Sequence, residues 1–224
     1  MALQSYLDEL KRLIPQAIDE LPPGTLEERL GDAIRAYSRI SPYCPRPIDY
    51  EGDGETYDFD LPSNWDLEFS RVRSIEYPVG YQEPEYLESD EYILYYSPTS
   101  GWQLRLFSIP ASGETLRVLY ITLHRLTDSE DTIPERDKRA VCYLAGSLIA
   151  RNLAAKYAGF TDPSLTADVI NYRTKQREYS EVANQFEAQF KLHFGMDARA
   201  LAPAAGAWGE LDFALKTRQG VEPP

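Results

Sequence analysis

The stretch TLRVLYITL, residues 115–123, is followed by PERDKRAVCYLAGSLIARNL, residues 134–153. Between them the hydrophobic period changes from two residues to about 3.6, and this change decides how the chain is read. In the first segment Leu116, Val118, Tyr120 and Thr122 alternate with Arg117, Leu119, Ile121 and Leu123. Few of these positions are polar, so the segment reads as a central strand covered on both faces. In the second, Pro134 suits the first position of a helix, and Val141, Leu144, Ala145, Leu148, Ile149 and Leu153 recur at three and four. The alanines and Gly146 permit close helix packing.

Upstream of residue 115 the chain continues as strands back to the prolines at 42, 45 and 47, which forbid helix. Alternation predicts strands near Pro47–Glu51, Thr56–Leu61, Val72–Tyr77, Glu91–Tyr96 and Trp102–Phe107, besides Thr115–Leu123. Gly52-Asp53-Gly54 and Ser97-Pro98-Thr99-Ser100-Gly101 supply the turn chemistry between neighbouring runs.

Two helices precede this region. Leu3, Leu7, Leu10 and Ile14 fall on one stripe that Pro15 ends. Thr25-Leu26-Glu27-Glu28 has capping-box spacing ahead of a helix from Leu26 to Ile40. Downstream of 153, Asp162-Pro163 reads as a cap and first-turn proline opening a long helix that Gly195 stops. Its buried stripe is Tyr172, Tyr179, Ala183, Phe186 and Phe190, and Arg173, Lys175 and Arg177 crowd its first half as a solvated or subunit-pairing face.

Charge divides the chain in the same way. Residues 44–123 hold 5 Lys+Arg against 15 Asp+Glu, whereas residues 134–194 hold 9 against 7. The reading is therefore α+β: a four-helix-type bundle made from residues 1–43 and 124–195, an inserted antiparallel β domain at 44–123, and an extended C-terminal arm at 196–224.

The arm is Ala-, Gly- and Pro-rich through residue 209 and then changes. Leu211, Phe213 and Leu215 alternate with Asp212, Ala214 and Lys216 just after Trp208. A lone strand with one apolar face needs a sheet made by something else. Either it adds a strand to a partner subunit through Trp208, Leu211, Phe213 and Leu215, or it folds back on the β domain of its own chain.

The search for chemistry returns structural readings. The overall charge of −13 opposes a phosphate-wrapping surface. No run of about 18 uncharged apolar residues occurs, so the chain is expected to be made in the cytoplasm and to have no membrane partner. His124 and His193 are the only histidines and neither has a ligand-like neighbour one helical turn away, so no metal or cofactor is expected. Cys44 and Cys142 lie in unlike contexts and are read as thiols. No G-x-S-x-G elbow, Walker or dinucleotide loop is present, and Gly146-Ser147 lies inside a helix pattern. Asp58, Asp60, Asp66 and Glu68 are read as a solvated, aggregation-resistant strand edge rather than as an acid/base pair. Gly52-Asp53-Gly54, despite Glu51 and Glu55, lacks EF-hand spacing and is read as a turn. No catalytic residue is expected. Sixteen tyrosines, many between Tyr77 and Tyr96, leave room for a carbohydrate- or receptor-binding face.

Several motifs in combination resemble the head-tail connector (adaptor) proteins of tailed phages. They are Ala36-Tyr37-Ser38-Arg39, Gly52-Asp53-Gly54 through Leu61-Pro62-x-x-Trp65, and Ile75-Glu76-Tyr77-Pro78. They continue with Tyr120-x-x-x-His124-x-Leu126, Thr132-Ile133-Pro134 before Ala140-Val141-x-x-Leu144-Ala145, and Ala167-Asp168-x-x-x-Tyr172-Arg173 with Tyr179. The similarity covers roughly residues 3–195. It implies a virion structural protein in the neck, forming a ring, commonly twelvefold, that binds the portal above and tail or neck subunits below. DNA would pass through its lumen without specific binding, and the acidic balance suits that. The arm is then expected to anchor on the portal. A tail binding module and another neck or tail-completion subunit are the alternatives.

Overall fold

In the computed structural model, residues 2–15, 17–159 and 166–196 are described, with no side-chain detail for Ile18 and 166–173. The expected cap at Asp162-Pro163 and the arm at 197–224 lie outside them.

The protein is mixed α+β with antiparallel sheets. Helices α1 (Ala2–Leu13), α2 (Ala17–Glu20) and α3 (Thr25–Ile40) come first. Strands β1 (Ile48–Glu51), β2 (Asp58–Asp60), β3 (Arg71–Glu76), β4 (Tyr92–Ser97), β5 (Gly101–Leu106) and β6 (Thr115–Ile121) follow. Two long helices, α4 (Glu135–Ala158) and α5 (Thr166–His193), complete the described elements. All six expected strands form, with ends displaced by at most two residues. The single turn α2 was not anticipated; it lies in the short interval between Pro15 and Pro22.

The chain divides into two compact units, Met1–Glu9 with Leu30–Lys138, and Leu10–Arg29 with Arg139–Pro224. The first holds both sheets. β6 is central in the order β1-β6-β3, and β5 is central in β2-β5-β4. Phe59, Ile75, Leu104, Leu106, Leu116 and Val118 from the two sheets form one buried cluster, flanked by Tyr50, Leu61, Val72, Tyr77, Leu87 and Tyr92. The expected burial of β6 is seen: Leu116, Val118, Tyr120 and Thr122 are buried, and the residues between them are half-buried.

Two turns show why glycine is required. Gly54 has φ +79°, where a side chain is strained, and Asp53 closes the same turn by accepting the Glu55 and Thr56 amides at 2.8 and 2.7 Å. Gly52 is needed for space instead, since a Cβ there would lie 2.5 Å from the Ala111 carbonyl oxygen. α3 begins differently from the expected capping box. Thr25 is itself helical; its hydroxyl donates to the Pro22 carbonyl at 2.7 Å, and the Glu28 amide bonds the Gly24 carbonyl at 3.0 Å. Gly24, at φ +85°, makes the turn that brings Pro22 within reach.

In the second unit α4 and α5 pack antiparallel. Tyr143 stacks on Phe186 toward one end and Tyr157 on Tyr179 toward the other, with centroids 5.8 and 5.6 Å apart. Gly146 lies under the Phe186 ring, where a Cβ would come within 3.2 Å. Val141, Cys142, Ala145, Ile149, Ala150 and Leu153 are fully buried, on more than one side of α4. Among the described residues of the expected α5 stripe, Ala183 and Phe190 are buried and Tyr179 and Phe186 half-buried.

Candidate interaction surface

The outer face of the β2-β5-β4 sheet combines aromatic and charged side chains. Arg105 pairs across β5 to Asp58 through two bonds of 2.7 Å, and its guanidinium lies 3.5 Å from the Tyr95 ring centroid and 4.8 Å from that of Tyr57. The Arg105 guanidinium holds the Asp58 carboxyl below the usual range. Gln103 donates to Asp60 Oδ1 at 2.9 Å. Of the four carboxylates considered for an acid/base pair, Asp58 and Asp60 are thus engaged by cross-strand neighbours, and Asp66 Oδ1 accepts the Glu68 and Phe69 amides of its own turn.

β4 forms the rim of this sheet. Its residues, Tyr-Ile-Leu-Tyr-Tyr-Ser, carry no charge, and Ile93 and Tyr96 are 50% and 56% exposed. Tyr96 meets Trp102 edge-on across the hairpin, at 5.5 Å between centroids. Phe107 and Ile109 are also exposed just beyond β5. Aromatic side chains exposed together in this way suit a protein or ligand contact.

A second cluster lies where the β region leaves and rejoins the helices. The Tyr37 hydroxyl, fully buried, donates to Asp137 Oδ2 at 2.8 Å. Burial first, and then the Asp137 carboxylate, pushes Tyr37 up to about 12. His124 packs beside it with ring centroids 4.9 Å apart. Nε2 is 3.0 Å from the Ser41 carbonyl, and Nδ1 is 2.9 and 3.1 Å from the Thr132 carbonyl and hydroxyl. Each ring nitrogen thus faces a carbonyl oxygen, an arrangement that by itself favours the protonated ring and works against burial. Burial moves the imidazole down, so the neutral form is the favoured one. The His124 amide also donates to Ser38 Oγ at 3.0 Å.

Sequence reasoning placed His124 and Tyr37 in motifs but did not bring them together. Their partners are up to a hundred positions apart, and the only local signal was a polar residue inside an apolar run.

The cationic group of α5 is only partly a free face. Lys175 donates to the Tyr157 hydroxyl at 3.2 Å and lies over that ring, while Tyr157 donates to Glu20. Lys175 therefore helps join α5 to α4. Arg177 is exposed and pairs with Glu181 one turn on at 2.9 Å. The Arg173 side chain, and Trp208, Leu211, Phe213 and Leu215, lie outside the described residues.

Ser147 is buried and donates to the Leu144 carbonyl at 2.8 Å, a helix-internal role. Cys44 is exposed and Cys142 buried, and neither is in a disulfide. Among the described residues no group of three or more His, Cys, Asp and Glu could hold a metal ion, and no helix is long and apolar enough to cross a membrane.

No protein-family model matches this sequence, and no curated protein matches it.

Proposed function

We propose that the chain is a structural subunit of a tailed-phage neck, a head-tail connector that forms a ring beneath the portal and joins the capsid to tail or neck subunits around the DNA channel. In this reading residues 1–43 and 124–195 form a four-helix-type bundle that builds the ring. Residues 44–123 are a β domain inserted into it, and residues 196–224 are an arm that grips a partner.

What supports the reading is the order of the elements. Six antiparallel strands lie between two helical segments, and the chain enters and leaves them at one point, closed by the Tyr37–Asp137 bond. An inserted domain whose two connections meet can vary without disturbing its host bundle. The acidity of the β region and the overall charge of −13 fit a channel that passes DNA without holding it.

Electron microscopy of the purified chain, alone and with cognate portal rings, tests the proposal. Ring density seated on the portal supports it. Portal rings left undecorated at saturating subunit concentration reject it.

The exposed aromatics Tyr96 and Trp102 favour a second reading, a β domain that holds carbohydrate or a receptor on a phage tail. Glycan-array binding by the full chain, lost in Trp102→Ala and accompanied by no portal affinity, would select it. Attachment at another level of the neck, as a tail-completion subunit, would appear in the same micrographs as binding to tails but not to portals.

A further inference from the structure

Of the four sheet edges in the first unit, β4 alone is open and unguarded. β1 has four residues including Asp49 and Glu51, and β2 has three, two of them aspartates. β3 is bulged between Val72 and Ser74, and its outer side is already bonded, through Leu87 N to Ile75 O at 2.9 Å and the Glu76–Tyr86 bridge. β4 pairs with β5 in unbroken register over six residues, Tyr92↔Leu106 to Ser97↔Gly101. No described backbone group bonds its other side. Charges, bulges, short length and cover are how proteins block strand addition, and β4 has none of them.

We infer that this edge receives residues 211–218 of a second copy of the same chain as an antiparallel fourth strand. The inference deepens the connector reading and rests on it for the presence of neighbouring copies. Register and charge support it. Tyr92, Leu94 and Tyr96 stand on the core side of β4, opposite Leu106, Leu104 and Trp102. The sequence Leu211-Asp212-Phe213-Ala214-Leu215-Lys216-Thr217-Arg218 has apolar residues at alternate positions over a matching length. With Phe213 opposite Leu94, Leu211 falls opposite Tyr96 and Leu215 opposite Tyr92, which extends the apolar face by three side chains.

The antiparallel direction then brings opposite charges together. Lys216 falls opposite Glu91, whose carboxylate is fixed at the end of β4 by the Glu88 amide at 2.7 Å. Arg218 falls opposite Ser89, between Glu88 and Asp90. Asp212 falls opposite Tyr95, the ring that carries the Arg105 guanidinium. A parallel strand would set Lys216 and Arg218 against the uncharged Tyr96–Gly101 hairpin. Backbone bonds supply affinity in such an addition, and the alternate side chains supply direction and register.

Cysteine pairing tests this in the full chain. In a Cys44→Ser background, Ile93→Cys and Ala214→Cys chains are mixed under mild oxidation; the two positions are directly opposite, within disulfide reach. A mixed dimer containing one chain of each kind is expected as the main product, and Tyr95→Cys in place of Ile93→Cys should cross-link at least several-fold less. Lys216→Glu should slow the reaction about threefold, and adding Glu91→Lys on the other chain should restore it, as befits one cross-strand pair. A synthetic peptide of residues 208–220 with cysteine at 214 should label Ile93→Cys chains in the same way and covers the case of weak self-association.

No mixed product and no peptide labelling at the highest soluble concentration overturns the inference. So does a doubly substituted chain that closes only on itself, or an arm that cross-links only to added portal. Portal decoration without β4 cross-linking would leave the connector reading standing and remove this one; cross-linking without decoration would do the reverse.

Discussion

The Tyr37 hydroxyl and Asp137 Oδ2, 2.8 Å apart, join the last turn of α3 to the first turn of α4 across the whole β region. A buried carboxylate depends on its donors, and losing one of them costs more than the bond contributes net. Tyr37→Phe removes the donor and keeps the ring. The expected loss is about 2 kcal/mol in urea unfolding, with both the helical and sheet signals shifted together. An unchanged midpoint would show that the bond contributes nothing at this junction.

His124 gives the protein a pH dependence near neutrality. Its folded-state pKa is below the unfolded value of about 6.5 because burial disfavours the charged ring. The unfolded chain then binds the proton first, so stability is full above about pH 6.5 and declines as pH falls below it. The bonds to the Ser41 and Thr132 carbonyls, and then Asp137 and Asp131, oppose this by favouring the charged form, which limits the effect. The lowered carboxyls of Asp49, Asp58 and Glu187, each held down first by its cationic partner, act elsewhere: their contribution is lost only as pH falls below about 4. Melting curves between pH 7.5 and 5.5 should decline in the wild type, and His124→Gln should flatten that part of the profile.

Gly52 and Gly54 are two positions apart in the same turn but are sensitive for different reasons. Gly52→Ala sets a Cβ against backbone, at 2.5 Å from Ala111 O, and the Pro110–Ala111 segment must move. The cost expected is about 2 kcal/mol. Gly54→Ala meets only ordinary contacts, the nearest at 3.4 Å, and loses about 1 kcal/mol to its positive φ. Reversal of this order in chemical denaturation would contradict the packing account.

Much of this fold could be read from periodicity. The six strands showed themselves because their side chains alternate, and the α4 stripe because Val141, Ala145, Ile149 and Leu153 recur at helical spacing. The division into β1-β6-β3 and β2-β5-β4 could not be read, since pairing a strand with one far along the chain leaves no local trace. For the same reason the Tyr37, His124 and Asp137 cluster was illegible. Lys175 and Arg177 looked equivalent in sequence; only the structure shows one bonded to Tyr157 on α4 and the other paired within its own helix. The unguarded character of β4 was visible in its uncharged letters, but its position at an edge was not.

Gly146 tests the α4–α5 contact. Alanine there gains about 1 kcal/mol in helix propensity but brings a Cβ within 3.2 Å of the Phe186 ring, so Gly146→Ala should change stability little. Leucine has no room, and Gly146→Leu should cost about 2–3 kcal/mol. If both variants are equally stable, the ring does not close over Gly146 in solution.

Removal of residues 197–224 separates folding from assembly. α5 is closed before the deleted segment begins: Gly195, at φ +64°, has its amide bonded to Leu192 O at 3.2 Å, and the Met196 amide bonds Lys191 O at 2.8 Å. These two bonds make a complete helix terminus, so a chain ending at Met196 keeps its last carbonyls satisfied. Its melting midpoint should move by less than about 3 °C, equivalent to under 1 kcal/mol for a chain of this size. Association between copies should fall at least tenfold, and attachment of the ring to portals with it, because the arm is the segment proposed to join neighbouring copies by strand addition. A truncated chain that still decorates portals with unchanged affinity assigns the grip to the helices instead. Under that outcome Arg177, exposed and paired with Glu181 on its own helix, is the first side chain to change.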